Sequence, residues 1–188
     1  MILVTGGTGL VGSHLLYKLA LNTNRIRAIY RENSNINAVK NIFSYYSVNS
    51  EELFNKIEWV KADITDVFEL KNAFENITKV YHCAALISFD TKDYWKMYKI
   101  NIEGTTNVVN FCIDAKVSKL CFVSSIATLD KSVHSDIINE CCEWGSNKNK
   151  SDYAITKHGA EMEVWRASQE GVEVIIINPG VILGAGFW

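Results

Sequence analysis

With 188 residues, 48% of them hydrophobic, the chain is long enough for one sizeable core and reads as a single domain over residues 1–188. Its 19 Lys and Arg against 21 Asp and Glu leave a net charge of −2, which gives nucleic acid or an anionic membrane no electrostatic reason to bind. No apolar run approaches the roughly 20 residues that span a bilayer. The first apolar run begins at Met1, so neither a membrane anchor nor a leader is expected, and the compartment is read as cytoplasmic.

The first four residues are an apolar run that reads as a buried strand. Gly6-Gly7-Thr8-Gly9 follows, and then Leu10, Val11, Leu15, Leu16 and Leu19 recur at helical spacing. Glycines between a strand and a helix have a mechanism. Gly6 can take a sharp turn, Gly9 has no Cβ to hold a pyrophosphate away from the main chain, and Gly12 lets helix and strand approach closely. The free N–H groups and positive dipole end of that helix favour a phosphate, and Thr8 lies within the same turn.

Further strands are expected at 26–30, 57–62, 79–85, 119–124 and 172–177. Between them, helices are expected over 33–47, 67–74, 93–115 and 152–169, with a polar loop over 128–149. Near-continuous apolar strands alternating with helices argue for an α/β, Rossmann-type, doubly wound parallel sheet with helices on both faces. The five cysteines suit reduced thiols: their number is odd, and Cys83 and Cys121 sit in apolar strand-like runs. Adjacent Cys141 and Cys142 lack the spacing of a zinc site, and no metal is expected.

Open parallel sheets bind ligands at the carboxyl ends of their strands. The second strand ends in Tyr30-Arg31, where an acid would hydrogen-bond an adenosine ribose and Glu32 comes late. Arg31 could instead pair bidentately with a ribose 2′-phosphate, which favours NADP over NAD; as a bland alternative it is a solvated surface arginine. Asp63 could accept from an adenine amino group or could cap the following helix, a role open also to Thr65 or Asp66. Ala84 and Ala85 are small enough for a dinucleotide to lie along the backbone.

Ser124-Ser125 closes the fifth strand, and Tyr153 and Lys157 share one face of the next helix with a rise of about 6 Å between them. An ammonium beside a phenol favours the phenolate and lowers its pKa. The tyrosine could then exchange a proton with a carbonyl or alcohol oxygen that a serine hydroxyl holds.

With these residues in view, the chain resembles the extended short-chain dehydrogenase/reductase family, of the epimerase/dehydratase and dihydroflavonol-reductase type. The resemblance rests on the 5–12 glycine turn, Asp63, His82-Cys83-Ala84-Ala85, Asn101 with Gly104-Thr105, Ser124-Ser125, Tyr153 with Lys157, and Asn178-Pro179-Gly180. It implies Tyr153 as catalytic acid/base, Lys157 as the group that binds the nicotinamide ribose and tunes Tyr153, and Ser125 as the substrate-orienting hydroxyl. Ser124 is the alternative one register away. The cofactor-binding set it implies also includes Leu10, Val11, Ile64, Asn101, Ser124, Asn178 and Pro179.

Family members carry a long carboxyl-terminal substrate domain that is missing here, and Phe187-Trp188 is an ending poorly suited to solvent. The chain therefore reads as the amino-terminal part of a longer protein. Members of that family often form homodimers through the helices corresponding to 93–115 and 152–169, whereas from the sequence the apolar positions on those helices could equally face the sheet. The expected activity is an NAD(P)-dependent oxidoreductase moving hydride between nicotinamide and a small carbonyl/alcohol substrate. The alternatives are a nucleotide-sugar epimerase or dehydratase with bound NAD, and a non-catalytic dinucleotide sensor.

Overall fold

The computed structural model describes residues 1–130, 137–142 and 144–186. Six strands form one sheet in the order β3-β2-β1-β4-β5-β6. They are β1 (Ile2–Thr5), β2 (Ile26–Tyr30), β3 (Ile57–Lys61), β4 (Lys79–His82), β5 (Lys119–Val123) and β6 (Glu173–Ile177), and every pairing is parallel. The strand order reverses between β1 and β4, the place where an open α/β sheet leaves a crevice at its carboxyl edge.

Alternation along the strands sends neighbouring side chains to opposite faces. Leu3, Ile29, Val80, Leu120 and Phe122 join a core with α4 (Val67–Ala73), α6 (Gly104–Asp114) and α7 (Asp152–Gln169). Val4, Ile26, Ala28 and Ile57 join a second core with α1 (Leu10–Ala20) and α2 (Ile36–Tyr46). The doubly wound arrangement read from the sequence is the one observed.

Three local features depart from the sequence reading. A short helix, α3 (Ser50–Phe54), follows α2. The fourth strand stops at His82 instead of running to residue 85, so Cys83, Ala84 and Ala85 leave the sheet and pass over the glycine turn. The helix expected over 93–115 is continuous but not uniform: a 3₁₀ turn (Thr91–Asp93), α5 (Tyr94–Met97) and a π-helical stretch (Tyr98–Glu103) lead into α6. The widened turns hold Asn101 inward. Its Oδ1 accepts from Leu86 N at 2.7 Å, and its Nδ2 donates to Leu86 O and to Thr156 Oγ1. Such bulges are invisible to a regular 3.6-residue period. Of the 128–149 loop, residues 131–136 and 143 lie outside the described set, as do Phe187 and Trp188.

Candidate active site

The glycine turn is built by close backbone approach. Gly6 sits at φ +67°, and a Cβ there would fall 2.6 Å from Ala84 N; one on Gly12 would fall 2.2 Å from Gly6 O. Gly9 differs. A Cβ there meets only Gly6 O at 3.3 Å, so its other side faces open space. Asn35, Asp66 and Ser151 cap α2, α4 and α7 with their side chains, whereas α1 starts at Gly9 with no side-chain cap. Its first N–H groups are left for a ligand, which fits a pyrophosphate held over Gly9.

A cavity of about 260 Å³ extends from this turn along the carboxyl ends of β2 and β3. Gly6, Thr8 and Gly9 line it together with Arg31, Asp63 and Ile64, and with Ala84 and Ala85 from the segment that passes over Gly6. Thr8 Oγ1 lies 3.4 Å from Ser34 Oγ, which accepts from Arg31 N at 3.0 Å. Asp63 Oδ1 accepts from Thr65 N and Oγ1 at 2.8 Å, and the residue lines the cavity; Asp66, not Asp63, caps α4. Arg31 also lines a polar recess of about 650 Å³ beside this cavity, with Lys61 as a second cation and Glu32, Asp63 and Glu69 as carboxylates. Glu32 is ion-paired with Lys61, and Arg31 has no ion-pair partner among the described residues.

On the other side of Gly9 a cavity of about 510 Å³ brings together Leu10, Val11 and Gly12 from α1, Ser124 and Ser125 after β5, Tyr153 and Lys157 from α7, and Pro179 after β6. Residues from both ends of the chain, Leu10 and Pro179 among them, thus share one crevice. Ser125 Oγ accepts from Ala127 N at 3.1 Å, fixing the turn that presents it. Burial raises the Tyr153 phenol above its ordinary range, and a hydrogen bond with Ser125 pulls it back down.

Lys157 is 1% exposed and its Nζ donates to Val123 O at 2.8 Å, with the Phe122 ring centroid 4.2 Å away. Burial brings its pKa down to about 8, against the opposing pull of Glu161 and Cys83. The expected lowering of the Tyr153 pKa by Lys157 is therefore corrected. The phenol is shifted upward, because desolvation dominates there and the ammonium is directed to the β5 carbonyl.

Two other residues of the implied cofactor set turn inward. Asn101 is 1% exposed and ties the 84–87 segment to α7, lining neither cavity. Asn178 Nδ2 lies within 3.2 Å of Ser125 O, Thr128 Oγ1 and Glu161 Oε2, so the side chain braces the serine turn while neighbouring Pro179 reaches the cavity. Ser124 lines the cavity but spends its hydroxyl on Glu161 at 2.5 Å. Two buried residues went unread as structural anchors. His82 bridges Thr5 Oγ1 at 2.6 Å and Thr105 Oγ1 at 2.9 Å, and burial, then Lys157, take its pKa down to about 3. Glu161 lies four positions after Lys157, and a carboxylate on the helix face that carries Tyr153 and Lys157 was the available signal.

A parallel sheet with its crevice at β1/β4, a glycine turn under an uncapped helix, and Ser, Tyr and Lys converging beyond it define the amino-terminal part of an extended short-chain dehydrogenase/reductase. A nicotinamide dinucleotide is the cofactor of that class. The chain belongs to the NAD-binding family described as Male sterility protein, whose model matches residues 4–187. Among curated relatives it is 28% identical over 181 residues to a putative dihydroflavonol 4-reductase of Synechocystis sp., covering 96% of this chain and 49% of the relative. It is 26% identical to sterol demethylase protein B of Methylococcus capsulatus, covering 97% and 51%. Among solved structures, the terminal R domain of the myxalamid PKS-NRPS pathway aligns with a TM-score of 0.81 and 30% identity, over 95% of this chain and 48% of that one. The UDP-glucose 4-epimerase of Thermus thermophilus, solved with NAD, shares the fold at a TM-score of 0.73 and 21% identity, over 94% and 54%. The chain spans about half the length of the curated relatives it matches. Among the described residues no helix is long and apolar enough to cross a membrane.

Proposed function

We propose that the whole protein is an NADP-preferring oxidoreductase that interconverts a carbonyl and an alcohol, with Tyr153 as its acid/base. The observation that carries this reading is the convergence of Ser125, Tyr153 and Lys157 in one cavity continuous with the Gly9 turn. The cofactor supplies hydride chemistry, and the chain supplies position and a proton. The uncapped start of α1 and the bare Gly9 hold the pyrophosphate, and Lys157 holds the nicotinamide ribose. Ser125 donates to the substrate oxygen while the Tyr153 hydroxyl gives or takes its proton.

Two further features support a reductase over a sugar-nucleotide epimerase. Arg31 lines the recess at the ends of β2 and β3 together with Glu32, whose carboxylate is ion-paired with Lys61, and so Arg31 is the cation there left to meet a 2′-phosphate. The cavity wall around Tyr153 is apolar, with Ile87, Phe89, Ile126 and Val181, and Lys157 is the one cation among the lining residues. The diphosphate of a nucleotide sugar, which stays bonded to the sugar through epimerisation or dehydration, would meet a single cation among these lining residues.

Calorimetric titration with NADPH and with NADH tests the reading. Tighter binding of NADPH is the expected result. Preference for NADH, or NAD retained through purification, would favour the epimerase/dehydratase alternative.

A further inference from the structure

We propose that Glu161 is a positioning residue for this site, one buried carboxylate that locks the serine turn, the segment after β6 and the base of Lys157 into a single register. The proposal rests on reading Ser125, Tyr153 and Lys157 as the catalytic group, yet its test does not depend on turnover. Glu161 is 8% exposed and lines neither of the two cavities that meet at Gly9, so it acts through the residues that do.

Three side chains from two segments meet at its Oε2. Ser124 Oγ donates at 2.5 Å, Thr128 Oγ1 lies at 2.8 Å and Asn178 Nδ2 at 3.0 Å. Thr128 has one hydroxyl proton and also lies 2.8 Å from Ser125 O, while Asn178 Nδ2 reaches the same carbonyl at 3.2 Å. The single Thr128 proton goes to one of these two acceptors while the Asn178 amide, with two protons, can reach both, and the residue that presents its hydroxyl to Tyr153 is flanked by that network. Ser124 N donates to Ile177 O and Ile126 N to Pro179 O, which closes the clamp through the main chain. Burying three hydroxyl and amide groups is tolerable because one charged acceptor satisfies them together.

The charge has a second target. Lys157 is surrounded by the Val123 carbonyl and Phe122 ring of β5, by His82 and Cys83 at the end of β4, and by Tyr153 and Glu161 of its own helix. Glu161 itself faces Ser124, Thr128, Asn178, Lys157 and His158. Among the groups around Lys157, Glu161 is the main one opposing the effect of burial and favouring the ammonium.

Three variants separate the two roles, read by amide hydrogen exchange and by the Cε resonance of ¹³C-labelled Lys157, assigned through its loss in Lys157→Met. Glu161→Gln keeps an acceptor and removes the charge. The Lys157 midpoint is expected to fall by about 1 pH unit while exchange at Ile126 and Thr128 stays near the wild-type rate. Glu161→Asp keeps the charge but is a methylene too short to reach all three donors, so the midpoint holds and those amides exchange at least about tenfold faster. Glu161→Ala combines both effects, with the β1 and β2 amides unchanged. An unmoved Lys157 midpoint in the Gln variant overturns the electrostatic role. Unchanged exchange in the Asp variant, or acceleration spread evenly over the sheet, overturns the clamp. Failure of the NADPH preference with these results intact would count against the proposed reaction and not against Glu161.

Discussion

Lys157 Nζ and the Val123 carbonyl oxygen are 2.8 Å apart, so the cation of the site is moored to the last residue of β5 beneath the serine turn. Its position is set by the sheet, and its charge by burial, which leaves the ammonium with a pKa of about 8. The part of cofactor affinity that depends on the ammonium is therefore present below that value and lost as pH rises through it. Calorimetry across this range should show cofactor binding weakening above about pH 8, with the dependence flattened in Lys157→Met. Affinity independent of pH in the wild type would mean that Lys157 does not hold the ribose.

Tyr153→Phe removes the hydroxyl that burial and Ser125 hold in the cavity while leaving the ring in place. Turnover of the whole protein is expected to vanish, with cofactor affinity within a few-fold of the wild type. A Phe variant that turns over normally would sink the acid/base assignment.

Arg31→Ala should weaken NADPH far more than NADH, by the roughly 1.5–3 kcal/mol of a hydrogen bond to a charged group. That corresponds to about a 10- to 150-fold change in dissociation constant. Equal weakening of both would place the guanidinium away from the 2′-phosphate.

The glycines of the turn should separate by phenotype. Gly12→Ala puts a methyl 2.2 Å from Gly6 O and must displace backbone, at a cost of about 1–3 kcal/mol or more in stability. Gly9→Ala meets only Gly6 O at 3.3 Å, so it should melt near the wild type yet bind cofactor poorly. Thermal melting with and without NADPH distinguishes the two.

His82 gives the fold an acid sensitivity. Its pKa is about 3 when folded against an ordinary 6.5, so the unfolded chain binds the extra proton between those values. The stabilisation is complete above pH 6.5 and is lost as pH falls toward 3, at about 1.4 kcal/mol per unit. Urea melts should steepen their pH dependence over this window, and His82→Gln should be less stable at neutral pH but flatter with pH.

Much of the molecule is local physics and could be read without coordinates. Apolar runs specify strands, the helix expected over 152–169 is α7 as observed, and glycines at 6, 9 and 12 announce a turn against a helix. What tertiary structure decided is how polar side chains distribute their bonds. Asn101 and Asn178 carry the right chemistry to face a cofactor but are spent inside, on Leu86, Thr156 and the serine turn. The π-helical stretch over Tyr98–Glu103 carries the inward-turned Asn101, a widening that no 3.6-residue period encodes. Glu161 gains its partners from positions 124, 128 and 178, and Lys157 its carbonyl from position 123. Desolvation at those meeting points then sets the charge states, because the cost of a buried charge depends on every segment packed around it.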